Sequence, residues 1–273
     1  EILRMEFGKK ITEIEFCALD FETTGLNTLI DRMVEVGIVR FTFNEILDTY
    51  ESLVNPERDI PEHVTMIHGI NADMVQESPS VRDTLDDITR FIGNSILIIQ
   101  NPRFDLSIMD AAFRTHNLAT PPMMSFDTLT LARKAFPDLP NYRLGALCER
   151  FNIPIRAHRA ISDAYGCMDL FKTIIRKLDS KGTWTLRDLQ KYHGKMITTQ
   201  SIRPGKKRNP ADSRIPIGHR VTIKYRDARG NVSTRSILPK KFVAQGNNDY
   251  VQAYCYLRQD DRFFNTANIL SVQ

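Results

Sequence analysis

The chain has 273 residues, 42% of them apolar and 26% charged, with 13 Gly, 13 Pro and a formal net charge of +4. These values exclude a disordered, collagenous or fibrous chain and suit one large globular domain or two modest ones. No apolar run is long enough to span a membrane and the first residues lack a signal peptide's apolar stretch, so a soluble, cytoplasmic protein with no membrane partner is expected.

Residues 14–20, 33–43 and 46–54 are rich in β-branched and aromatic side chains and are broken by turn residues such as Thr24-Gly25 and Asn44. They predict a three-stranded meander. After a polar, Pro-bounded stretch, residues 81–92 place Leu85, Ile88, Phe91 and Ile92 at helical spacing. A short apolar strand over 96–99 leads to helices over 104–115, 128–135, 144–151 and 160–178. The last of these aligns Ile161, Ala164, Met168, Phe171, Ile174, Ile175 and Leu178 in one apolar stripe. This succession predicts an α/β layer structure.

The character changes past Lys181. A short helix over 183–192 and a basic, breaker-rich stretch over 203–210 read as helix and linker, which sets domains at 1–180 and 214–273 with a connection over 181–213. In the second domain Val221, Ile223 and Tyr225 alternate with Arg220, Thr222 and Lys224. A turn over 227–231 leads to a second run ending at Leu238. A strand over 250–257 sends Val251, Ala253, Cys255 and Leu257 one way and Tyr250, Gln252, Tyr254 and Tyr256 the other, predicting a small β-barrel or sheet.

Charge separates along the same line. Residues 203–273 hold 14 Lys and Arg against five acids, whereas residues 1–202 hold 23 against 28. An acidic body suits divalent metal and a basic module suits a polyanion, although solvated faces alone can give such an asymmetry. Cys17, Cys148, Cys167 and Cys255 form no C-x-x-C pair and read as buried free thiols.

Asp20 and Glu22 stand two apart at the end of the first strand, so both carboxylates face one way. Paired like charges favour a cation, and all-oxygen donors favour Mg²⁺ or Mn²⁺ over zinc, though exposed strands also carry such pairs. Asp105 is either a helix-start acid interacting with the helix dipole or a third ligand. His158 and Asp163 lie five apart and converge only if His158 precedes the helix; a histidine capping that helix is the plain alternative.

Together Asp-Phe-Glu-Thr-Thr-Gly-Leu (20–26), Ile-His-Gly-Ile (67–70), Asn-Pro-Arg-Phe-Asp (101–105) and His-Arg-Ala-Ile-Ser-Asp-Ala (158–164) resemble the successive motifs of the DnaQ-like, or DEDDh, exonucleases of epsilon-subunit and exonuclease X type. The resemblance covers residues 12–178. It implies an RNase H-like mixed sheet flanked by helices, with Asp20, Glu22, Asp105 and Asp163 holding two Mg²⁺ (Mn²⁺ as substitute) and His158 as general base. It further implies that Thr23, Thr24, Gly25, Leu26, His68, Asn101 and Phe104 contact the 3′-terminal nucleotide. The chain departs from the family's Ala-His-Asn-Ala at Ile99-Gln100-Asn101-Pro102. Gln100 is no metal ligand, and Pro102 stiffens the start of the helix.

Residues 218–270 resemble a WYL domain, a small SH3-like β-barrel, through Arg235-Ser-Ile-Leu-Pro239, Tyr250-Val-Gln-Ala-Tyr-Cys255 and Leu257-Arg258 with Arg262-Phe-Phe264. The signature Trp is absent, with Asp249 in its place, and Val251 replaces the Leu. Arg235, Tyr250, Tyr254, Tyr256, Arg258 and Arg262 suit base stacking and phosphate contact; packing at a barrel rim is the plain alternative. The expected activity is 3′→5′ exonucleolytic hydrolysis of single-stranded or frayed DNA ends to nucleoside 5′-monophosphates, in a repair setting, with the WYL domain aiding binding or regulation. Trimming of RNA 3′ ends and a catalytically silent regulator are the alternatives, and nucleic acid and a homodimer the expected partners.

Overall fold

The computed structural model describes residues 7–28, 30–202, 212–227, 230–245 and 248–273. The expected linker over 203–210, and residues 228–229 of the expected turn, lie outside them. The chain divides into two units, Glu1–Ile202 and Arg203–Gln273.

The first unit is built on strands β1 (Phe16–Thr23), β2 (Met33–Phe41), β3 (Ile46–Leu53), β4 (Ile96–Ile99), β5 (Met124–Asp127) and β6 (Ile197–Thr198). They lie in the order β3-β2-β1-β4-β5-β6. β1 runs antiparallel to β2 and parallel to β4, and β4 runs parallel to β5, so the C-terminal ends of β1, β4 and β5 share one edge of the sheet. The mixed sheet is the one the resemblance implied.

Helices flank it: α1 (Glu62–His68), α2 (Ala72–Val75), α3 (Val81–Ile92), α4 (Pro102–Thr115), α5 (Thr128–Ala135), α6 (Leu144–Arg150), α7 (Ala160–Leu178), α8 (Leu186–His193) and α9 (Thr199–Ile202). Because both faces of the sheet are covered, β1 and β2 are buried almost without alternation. Phe16 and Ala18 pack with Phe41 and with Phe171 and Ile174 of α7. Cys17, Leu19 and Phe21 pack on the other face with Leu85 and Ile88 of α3 and Leu106 and Met109 of α4. The period of two then directs Asp20 and Glu22 to the α7 side.

Ser80 caps α3 by accepting the Asp83 N–H, and Asp127 caps α5 by accepting the Leu129 N–H. α4 starts at Pro102, two residues before the expected start, because a first helical residue has no use for an N–H. The expected boundary near residue 180 moves to 202. Leu186 and Leu189 of α8 are buried in the first unit's core, the Leu186 N–H donates to the Lys9 carbonyl, and β6 extends the sheet beside β5. All four cysteines are buried and free. Among the described residues no helix is long and apolar enough to cross a membrane.

The second unit is an antiparallel sheet of β7 (Val221–Arg226), β8 (Val232–Gln245), β9 (Asn248–Cys255), β10 (Asp260–Asn265) and β11 (Ile269–Val272), in the order β10-β9-β8-β7-β11. Ile223, Ile237, Val251, Ala253, Cys255 and Phe264 form its core. The closed barrel expected from the sequence is not formed, since β10 and β11 are the two edges and share no ladder among the described residues. The chain passes from Asn265 to Ile269 through the turn Thr266–Asn268. Four residue steps reach at most about 14 Å, less than the roughly 19 Å across a flat five-stranded sheet, so the sheet is strongly curled yet open. Leu257, expected on the core face, lies in the turn after β9 and is 60% exposed.

Candidate active site

Four carboxylates meet at the shared edge. Asp20 and Glu22 come from the end of β1, Asp105 from the first turn of α4 after β4, and Asp163 from the first turn of α7. His158 precedes α7, as its approach to Asp163 requires. It sits at φ +65°, and its N–H donates to Asp163 Oδ2 at 2.9 Å. One ligand atom each from Glu22, His158 and Asp163 lie within 4.8 Å of one another.

Two residues that the sequence reading missed bring α7 there. Glu35 on β2 is the cross-strand partner of Glu22 and is 3% exposed. Its Oε1 accepts from the Arg159 guanidinium and its Oε2 accepts the Ala160 N–H at 2.8 Å, so it caps α7. Gly37, opposite Asp20, allows the close approach: a Cβ there would stand 2.2 Å from the Ile161 nitrogen. A glycine inside a strand two residues from a lone acid was the available signal.

The acids lie in one another's fields. Burial pushes Glu22 up to about 8, helped by the charges of Asp163, Glu35 and Asp105 and opposed by Arg159. Burial likewise raises Asp105 to about 7, against backbone N–H groups of its own residue and Phe21. Asp20 is held well above the usual carboxylate range by burial and by Asp105, Asp163 and Glu22. Burial raises Asp163 against the His158 N–H and imidazole. A cluster that retains protons toward neutrality for want of positive charge fits divalent cations, and its oxygen donors fit Mg²⁺ or Mn²⁺.

Beside it, residues 23–27 form a tied turn. Thr23 Oγ1 donates to the Gly25 carbonyl, Thr24 Oγ1 donates to Asp31 Oδ1, and Asp31 Oδ2 accepts the Asn27 N–H. Asp31, also missed, leaves no room for a Cβ at Gly25, which would stand 2.5 Å from its Oδ2. Leu26 is left 87% exposed. His68 is buried, and its Nδ1 accepts the Ile70 N–H, leaving Nε2 to carry the proton; burial lowers its pKa. Asn101 caps α4 at φ +61° with its N–H on Asp127 Oδ1, and Phe104 packs into the α3–α4 core.

The six residues expected on one face of the second unit are divided by its register. Arg235 pairs with Ile223, and Arg262 with Ala253, on the side of the buried aliphatics. Tyr254 pairs with Leu238 and Asp261 on the other side, where Tyr250 also points. Tyr256 and Arg258 follow β9 in the turn. Tyr254 and Tyr256 meet edge to face at 5.2 Å, and Arg220 lies over the Tyr256 ring at 4.0 Å.

Residues 17–171 match the family described as Exonuclease, and the chain belongs to that family, as a nuclease-type hydrolase of DnaQ-like kind. Residues 215–273 match the WYL domain. The epsilon subunit of DNA polymerase III from Treponema pallidum is 35% identical over 165 residues, covering 59% of this chain and 77% of that protein. The PolC-type DNA polymerase III of Oceanobacillus iheyensis is 33% identical over 202 residues, 73% of this chain; the chain spans only 14% of that relative's length. A structure of Exonuclease X in complex with 5′-overhanging duplex DNA aligns with a TM-score of 0.53 and 25% identity, covering 66% of this chain and 99% of that one.

Proposed function

We propose that this chain is a divalent-metal-dependent 3′→5′ exonuclease that acts on single-stranded or frayed DNA ends and releases nucleoside 5′-monophosphates. The convergence of Asp20, Glu22, Asp105 and Asp163 with His158 at the C-terminal edge of the sheet carries this reading. The four acids hold two Mg²⁺, or Mn²⁺ in their place. Bound there, the cations supply Lewis acidity to the scissile phosphate and charge neutralisation for the leaving oxygen.

His158 takes the proton of the attacking water, its strained backbone held by Asp163. Thr23, Thr24, Gly25 and the exposed Leu26 line the pocket of the terminal nucleotide. His68 Nε2–H, Asn101 and Phe104 add to it. The preference for DNA rests on relatives named for DNA polymerase and on the DNA held by Exonuclease X. The WYL unit adds nucleic-acid affinity through Tyr254, Tyr256 and Arg220 and its basic balance.

Single-turnover hydrolysis with Mg²⁺ tests the assignment. Asp20→Ala is expected to abolish it, and His158→Ala to slow it by about 10²–10⁴-fold. Near-wild-type rates in either variant overturn the site. Faster turnover of RNA than of DNA moves the substrate to RNA 3′ ends.

A further inference from the structure

Gln100, where the family's pattern has His, is hydrogen-bonded through both polar atoms of its amide. Its Nε2 donates to the Tyr142 carbonyl at 2.8 Å and its Oε1 accepts from Thr128 Oγ1, which ties the segment before α6 to the end of β4. Between them lies a groove of about 490 Å³ lined by Gln100, Asn101, Arg133, Asn141, Tyr142 and Arg143. Asn101 caps the helix that carries Asp105, so the groove opens on the same sheet edge as the acid cluster, one strand over.

The chemistry of this groove complements that cluster. Arg133 and Arg143 are exposed, and neither guanidinium is in an ion pair among the described residues; Arg133 lies over the Tyr142 ring at 5.7 Å. Among the described residues no carboxylate lines the groove. A phosphodiester chain approaching four carboxylates on a unit with more acids than bases needs cations beside its path. Two guanidiniums, the carboxamides of Asn101 and Asn141 and a half-buried tyrosine offer phosphate donors and a face for a base.

We infer that this groove is the subsite for the nucleotides immediately 5′ of the terminal one, with Arg133 and Arg143 on their phosphates and Gln100 fixing its floor. The inference rests on the exonuclease reading. It is tested with the full chain and a series of single-stranded DNAs from two to eight nucleotides, beside the 4-nitrophenyl ester of thymidine 5′-phosphate with Mn²⁺. Wild-type KM should fall at least tenfold with length. In Arg133→Ser/Arg143→Ser the octamer's KM should rise about tenfold with kcat within threefold, and the length dependence should flatten. Gln100→Leu should flatten it too.

Unchanged length dependence in the double variant overturns the groove. So does an equal loss on dinucleotide and octamer. Absence of ester and oligonucleotide hydrolysis in the wild type, by contrast, overturns the underlying exonuclease reading.

Discussion

Glu35 spends both carboxylate oxygens on the start of α7, one on the Arg159 guanidinium and one on the Ala160 N–H. It touches no reacting atom, yet it fixes the segment from which His158 and Asp163 project. Glu35→Ala strands a guanidinium and a helix-end N–H, a loss of about 1–3 kcal/mol for the unmet partners. The expected kinetic result is a fall in kcat of at least tenfold with KM within twofold. Glu35→Gln, whose amide oxygen still accepts the Ala160 N–H, should recover part of kcat; equal losses in both variants, tracking thermal stability, would leave Glu35 a purely structural role. The motif acids and His158 were legible because each stands in a run of recognisable neighbours. Glu35 and Asp31 were not, because a lone acid in a strand or loop gains meaning only from the register opposite Glu22 or the turn at Gly25.

Among the elements, α7 and β2 meet at Gly37, where a valine would push the helix start off the sheet. Gly37→Val is expected to lower both the melting temperature and hydrolysis, and wild-type activity there would contradict the packing. A second support runs through α8: the buried His193 accepts the Asp127 N–H on Nε2, and Asp127 in turn holds the Asn101 N–H that starts α4. Burial lowers the His193 pKa. A group depressed on folding contributes stability above its unfolded value, about 6.5, that is lost as pH falls through the folded value. Glu22 and Asp105, raised on folding, act with the opposite sign over the same range in both proteins, so the expected result is a difference: from pH 7.5 to 5.5 the wild-type melting temperature should fall relative to that of His193→Gln, whose carbonyl accepts the same N–H without titrating. The long periodic helices α3 and α7 were readable from sequence. The four-residue α2 and two-residue β6 were not, since so few residues carry no period. α8 was readable as a helix, but its place in the first unit depends on the Lys9 carbonyl and on Asp127, partners far away in the chain.

Across the whole molecule, the catalytic unit ends after Ile202. A chain ending at residue 202 is expected to melt cooperatively and hydrolyse the nitrophenyl ester. One ending at residue 181 lacks α8, β6 and the His193 contact, and should melt well below it; equal melting of the two would contradict the boundary. The second unit's open sheet departs from the expected barrel because a three-residue turn joins its two edges without a ladder, a feature that strand patterning cannot report. The central claim is tested most directly by following 5′-labelled single-stranded DNA with Mg²⁺, beside an EDTA control and Asp20→Asn. Stepwise shortening from the 3′ end with release of nucleoside 5′-monophosphates, absent in both controls, is the expected result. Internal cuts, shortening from the 5′ end, or no cleavage of either DNA or RNA by the intact chain would contradict it.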